Sequence, residues 1–309
     1  MNGDETMGGS VVGGSVVIGA GATGVATARQ LAESGERVRL ITRSGSGPDH
    51  PAIERVALDA GRTDELAKAL AGAATVFNAA MTAYQSWPET MPPLFASILD
   101  ATERAGADYV MLGNHYGYQQ TNGPVTERTP MAPHTRKGRV RAELWQRAKT
   151  ANDEGRLRVA EVRAGQYLGS GAVSAFTLLV APRVREGELA LVHGNPDAAH
   201  SFSYTEDVAA ALVAVSRDER AWGRAWHAPV ITTTVRHAAT DLAALHGAPE
   251  PRLEPLTERD LALPSFADPL WREFAEMSYM SERPFIVDDS DIRDTFGLKP
   301  STLRQALAA

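Results

Sequence analysis

The sequence predicts an α/β fold: a doubly wound parallel sheet with a smaller, mixed C-terminal lobe. Three observations carry this expectation. A β-branched run, Val16-Val17-Ile18, enters the turn Gly19-Ala20-Gly21-Ala22-Thr23-Gly24, and a helix-forming stretch leaves it. Short apolar strands then alternate with helical stretches up to about residue 165, the pattern of a parallel sheet. Beyond that the alternation breaks down, and an aromatic and Met stripe, Leu270, Trp271, Phe274, Met277 and Met280, recurs at helical spacing.

The glycines have separate tasks in a strand–turn–helix of this kind. Gly19 permits the sharp turn, Gly21 has no side chain to hold a pyrophosphate away, and Gly24 lets the helix pack closely on the strand. With Ala22 and Thr23 they open a helix over 26–33, whose positive end suits phosphate. A second strand, 37–41, runs into Thr42-Arg43-Ser44 with no acid before Asp49. An acid at this place selects NAD and an Arg accommodates the 2′-phosphate of NADP. Arg43 and Ser44 are therefore the expected ligands of NADP(H).

A third strand, 56–58, ends in Asp59, and Thr63 caps a helix over 64–70 whose first turn carries two acids. The fourth strand, 75–78, ends at Ala79-Ala80, where small residues let a cofactor approach the backbone. A helix over 94–105 and a fifth strand over 109–112 follow. Later come a sixth strand at 158–162, a mostly apolar helix over 173–184, a strand at 189–192, a helix over 207–215 capped by Thr205, and helices over 234–247 and 268–279.

Composition bounds the rest. With 309 residues, 43% of them hydrophobic, the chain can bury a large core. A net charge of −7 argues against a nucleic-acid surface. There is no cysteine, so disulfides and thiolate chemistry are excluded. Residues 1–14, rich in Gly and Ser, read as a disordered tail rather than a signal peptide. The longest apolar run, 208–215, is far short of a membrane span, so a cytoplasmic protein with no membrane partner is the expectation. The eight histidines show no pair at metal spacing on a readable helix, so no metal is expected.

The order of landmarks resembles the extended short-chain dehydrogenase/reductase family, the NAD-dependent epimerase/dehydratase group. The landmarks are the glycine turn, Leu58-Asp59, Asn78-Ala79-Ala80, the acidic-proline stretch Pro124 to Pro130, and Tyr204-Thr205-Glu206-Asp207-Val208-Ala209. The resemblance implies a Rossmann domain over 15–165 plus about 200–230, and a substrate lobe over 166–199 plus 231–309. Members often dimerise through a two-helix face, which makes a homodimer the analogy's expectation.

The resemblance also implies a Ser, and a Tyr four residues before a Lys on one helix. This chain departs from that. None of its seven tyrosines has a Lys four residues on, and no Ser occurs between Ser97 and Ser170. Counting back from Glu143 puts Thr135 at the Tyr place and Arg139 at the Lys place. Arg139 can still bind a nicotinamide ribose, but a Thr hydroxyl is too weak an acid to replace a phenol. Tyr116, Tyr118 or His115 could supply the proton instead, with Tyr116 and Lys137 the expected pair. The loops after the fifth and sixth strands offer Asn114, His115, Gln166 and Tyr167 as pocket residues, with His200 returning towards them. The expected function is an NADP(H)-dependent reductase of a carbonyl, imine or activated double bond in a small organic substrate. The alternatives are a cofactor-sensing regulator without turnover, and a non-redox isomerase or cyclase that keeps the cofactor fold.

Overall fold

The computed structural model describes residues 13–268 and 270–309. Most of the tail expected over 1–14 therefore lies outside the described residues. Gly13 N–H donates to Gly72 O at 2.8 Å, and Gly14 O accepts from Ala74 N–H at 2.9 Å.

In chain order the first half holds β1 (Ser15–Ile18), α1 (Ala22–Glu33), β2 (Val38–Thr42), β3 (Ile53–Ala57), α2 (Thr63–Ala69), β4 (Thr75–Asn78), α3 (Trp87–Ala105), β5 (Asp108–Gly113), α4 (Arg136–Asp153) and β6 (Val159–Arg163). Then come β7 (Tyr167–Leu168), α5 (Ala181–Arg185), β8 (Leu189–Val192), β9 (Ala199–Tyr204), α6 (Thr205–Ser216), β10 (Arg224–His227), β11 (Ile231–Thr234) and α7 (Val235–His246). The chain ends with β12 (Arg252–Pro255), α8 (Glu258–Ala262), α9 (Leu270–Met277), α10 (Ser290–Phe296) and α11 (Leu303–Ala308).

The central sheet has seven strands in the order β10-β6-β5-β4-β1-β2-β3, and every pairing in it is parallel. All four residues of β1 are buried, as expected of a strand covered on both faces. One apolar core joins the sheet to α2, α3 and α4 through Leu66, Phe95, Ile98 and Leu144. A second, on the opposite face, joins it to α1 and α6 through Leu31, Val208 and Leu212, and takes in Ile292 of α10. The lobe has its own core, built on Phe176, Val180, Phe202 and Leu242. It carries a mixed three-stranded sheet, β11-β9-β7, and the parallel pair β12-β8. No helix among the described residues is long and apolar enough to cross a membrane.

Among the elements that differ from the sequence expectation, two do so for reasons that proline sets. The third helix starts at Trp87, not near 94. Pro92 and Pro93 lie inside it, which reads as a break in sequence because proline lacks an N–H. Trp87, Met91 and Phe95, one turn apart and all buried, anchor that first stretch to the core. The helix expected over 173–184 opens as a π-helical turn, Phe176–Val180, before α5. Pro182 follows directly and has no N–H to return to the carbonyl of Leu178.

Candidate active site

The glycine turn is dictated by contact. Gly19 has φ +101°, and a Cβ there would lie 2.7 Å from the Ala79 carbonyl oxygen. A Cβ on Gly24 would collide with the Gly19 carbonyl oxygen. Gly21 differs: a Cβ would meet nothing within 4 Å. Its neighbourhood is open, and the positive end of α1 lies there. The first intrahelical bond is Val25 N–H to Gly21 O, at 2.9 Å, so the earlier N–H groups remain for an anion.

A cavity of about 490 Å³ is lined by this turn and Ala79, by Asn114, His115 and Tyr116 after β5, and by Gln166 and Tyr167 after β6. Its lobe wall is largely apolar, with Leu270, Phe274, Met277, Met280 and Phe285, and also carries Ser174, His193 and Ser281. A second cavity, of about 690 Å³, lies in the lobe between His193 and Trp271; neither the glycine turn nor Tyr116 borders it.

Tyr116 is held from two sides. Asn114 Oδ1 accepts its backbone N–H at 3.1 Å, and Tyr84 Oη donates to its hydroxyl at 3.2 Å. Burial raises the Tyr116 phenol's pKa, while the Tyr84 hydrogen bond and the Arg141 charge pull it down. Gln166 has φ +51°, an uncommon backbone state for a residue with a side chain. It places both Gln166 and Tyr167 on the cavity wall.

His115 is buried, and among the described residues its Nε2 has no hydrogen-bond partner. Burial, then the nearby His227 and Arg163, hold its pKa well below the usual imidazole range, so it stays neutral. Behind it, His227 Nδ1–H donates to Asp288 O at 2.7 Å, which fixes the tautomer, and Tyr118 Oη then donates to Nε2 at 2.6 Å. Arg163 Nε pairs with Glu161 at 2.7 Å, and its guanidinium faces the Tyr118 ring.

Several expected residues are placed elsewhere. Lys137 does not line the cavity. It is buried with its Nζ paired to Glu273 and, at 2.8 Å, to Glu276, both on α9. Arg139 is exposed, donates to His134 O at 2.9 Å and does not line the cavity. Thr135 caps α4, accepting Gly138 N–H at 3.0 Å. His200 is buried beside a separate small void and does not reach the main cavity. Ala80 is buried behind Ala79, its N–H held by Asn78 Oδ1 at 3.0 Å.

Arg43 and Ser44 are exposed just beyond β2. Gly19 N–H donates to Ile41 O at 2.9 Å, which ties this strand end to the glycine turn. Asp59 flanks the same edge. Leu58 N–H bonds Thr42 O at 2.8 Å, and the Asp59 carboxylate accepts Gly61 N–H at 2.9 Å. Among the described residues no group of three or more His, Asp or Glu side chains could hold a metal ion.

Sequence reasoning missed Arg141, which lines the cavity from α4 with Tyr84 and Trp87. The signal was present. Val140, Leu144 and Ala148 mark the inward stripe of that helix, and 137 and 141 fall on it.

No curated protein matches the chain in sequence. Among solved structures, the epimerase Mth375 from Methanothermobacter thermautotrophicus is 17% identical, with 96% of this chain and 91% of that chain covered and a TM-score of 0.77. The UDP-glucose 4-epimerase from Thermotoga maritima is 16% identical, with 96% and 97% covered and a TM-score of 0.75. DesIV, a dTDP-glucose 4,6-dehydratase from Streptomyces venezuelae with NAD bound, is 17% identical, with 95% of both chains covered and a TM-score of 0.75. These likenesses carry the fold. Residues 15–226 match the family model described as "NAD dependent epimerase/dehydratase family", and the chain belongs to that family.

Proposed function

We propose that the protein is an NADP(H)-dependent oxidoreductase that reduces a carbonyl, imine or activated double bond of a small organic substrate. The observation that carries this reading is one cavity bounded both by the open glycine turn and by Tyr116. The turn suits a dinucleotide: Gly21 leaves the backbone bare, and the first-turn N–H groups of α1 offer donors to a pyrophosphate. Ala79 keeps the neighbouring wall low. At the edge beyond β2, Arg43 and Ser44 suit a 2′-phosphate, with no acid in their own loop before Asp49.

When bound, the nicotinamide ring supplies the hydride. The protein's part is to orient the substrate, exclude water and deliver a proton. Tyr116 carries that proton at its hydroxyl, in reach of the cavity and with Tyr84 and Arg141 to stabilise the phenolate it leaves. Asn114, His115, Gln166 and Tyr167 shape the substrate end. Its largely apolar lobe wall offers little to the diphosphate of a nucleotide-sugar, which favours a less polar substrate.

Titration of the protein with NADPH and NADH, followed by nicotinamide fluorescence, tests the nucleotide. A screen of aldehydes, ketones, imines and enones for NADPH consumption tests the reaction. Failure of both nucleotides to bind overturns the reading. A second reading is favoured by Thr135 and Arg139, neither of which borders the cavity: a nucleotide-sensing regulator would bind NADPH and turn nothing over.

A further inference from the structure

A cation is walled into the cavity without an anion. Arg141 is 2% exposed, yet it lines the cavity. Its guanidinium carbon lies 4.6 Å from the Trp87 ring centroid and 6.0 Å from that of Phe95. Nη1–H donates to Leu112 O at 3.3 Å and Nη2–H to Met81 Sδ at 3.3 Å, while among the described residues Nε has no hydrogen-bond partner.

The charge balance is one-sided. Among the described residues Arg141 forms no salt bridge. The carboxylate whose charge reaches it, Glu161, already pairs with Arg163 at 2.7 Å, so two buried guanidiniums share one carboxylate. Among the described residues no Asp or Glu lines the cavity. Taking an ion out of water without a partner is costly, and ring faces offset only part of that cost. Arg141 is thus a standing positive charge, with a donor to spare, in a cavity whose lobe wall is largely apolar.

We propose that Arg141 is the anchor for a carboxylate on the substrate. The planar guanidinium fork matches a carboxylate with two parallel hydrogen bonds, and the Trp87 face holds the fork's plane. The rest of the substrate lies against Phe274, Met277, Met280 and Phe285. The substrate class is then a small, largely apolar carboxylic acid. The reducible group it carries rests on the function proposed above; the anion site does not.

The test is calorimetric titration of the full chain, with and without NADPH, using acid and amide pairs: phenylacetate with phenylacetamide, and hexanoate with hexanamide. The wild type is expected to bind the acids about ten- to a hundredfold tighter than the amides, the range of a charge-assisted hydrogen bond. Arg141→Met removes that preference and leaves NADPH affinity unchanged; Arg141→Lys restores part of it. Equal binding of acid and amide to the wild type, no acid binding, or a preference that survives in Arg141→Met overturns the proposal. If Arg141→Met does not fold, the wild-type pairs and Arg141→Lys decide it. A loss of NADPH affinity in Arg141→Met, without an acid preference in the wild type, assigns Arg141 to the nucleotide ribose and also overturns it. If the wild type binds no nucleotide, the reductase reading falls and the acid preference still decides this one.

Discussion

The Tyr84 hydroxyl donates to the Tyr116 hydroxyl at 3.2 Å, so one phenol steadies the other's oxygen. This bond favours the Tyr116 phenolate, against the burial that opposes it. Tyr116→Phe removes the proton donor and is expected to lower turnover by about a hundredfold to ten-thousandfold, with NADPH affinity unchanged. Tyr84→Phe leaves the donor in place but withdraws its support. Its pH–rate profile should keep its shape, with the alkaline limb moved to higher pH.

Arg43 carries the nucleotide choice. It is exposed, two residues beyond the Ile41 carbonyl that the glycine turn bonds. Arg43→Ala should weaken NADPH by about 1.5–3 kcal/mol, roughly ten- to a hundredfold, the loss of one charge-assisted contact. NADH affinity should be unchanged. Equal losses for both nucleotides, measured by fluorescence titration, would place Arg43 outside the 2′-phosphate site.

The fold was legible because its signals are local. Val16-Val17-Ile18 and the glycine turn state a strand and a helix start within a few residues, and Asn114, His115, Tyr116, Gln166 and Tyr167 follow strands whose ends bound the cavity. Arg141 depends instead on helix phase. Arg136, Lys137, Arg139 and Arg141 crowd one stretch, and a shift of two positions turns an exposed Arg139 into a buried Arg141. The cavity-wall residues Phe274 and Met277 were legible as an apolar stripe, but nothing local says which cavity that stripe borders. The same holds for Lys137, whose partners lie more than a hundred positions away.

Lys137 ties α9 to α4. Glu273 and Glu276 of α9 both reach its Nζ, and Glu276 Oε1 also accepts its backbone N–H at 3.1 Å. Phe274 and Met277 of the same helix face the cavity. Lys137→Met leaves the buried Glu273 with only the longer contact to exposed Arg136, at 3.6 Å, which should cost up to roughly 3 kcal/mol. A lower thermal midpoint and faster amide exchange across 270–277 would register it. Unchanged exchange there would mean that the apolar contacts of α9 hold the helix in place by themselves.

Stability should also fall in mild acid, through His227. Burial, with the Arg163 charge adding to it, lowers its pKa to about 4, although the Asp288 carbonyl bond works the other way. In the unfolded chain the same imidazole titrates near its ordinary value, about 6.5. Between those values the unfolded state holds a proton that the folded state lacks, so stability rises with pH and is lost as pH falls from about 6.5 towards 4. The loss levels off below the folded value and totals roughly 3 kcal/mol at about 1.4 kcal/mol per pKa unit. His115, also held neutral by burial, acts in the same direction. Denaturant midpoints measured from neutral pH down to pH 4 should trace this slope. His227→Gln, which retains a donor for Asp288 and an acceptor for Tyr118, should flatten it; an unchanged slope in that variant would assign the acid sensitivity to other groups.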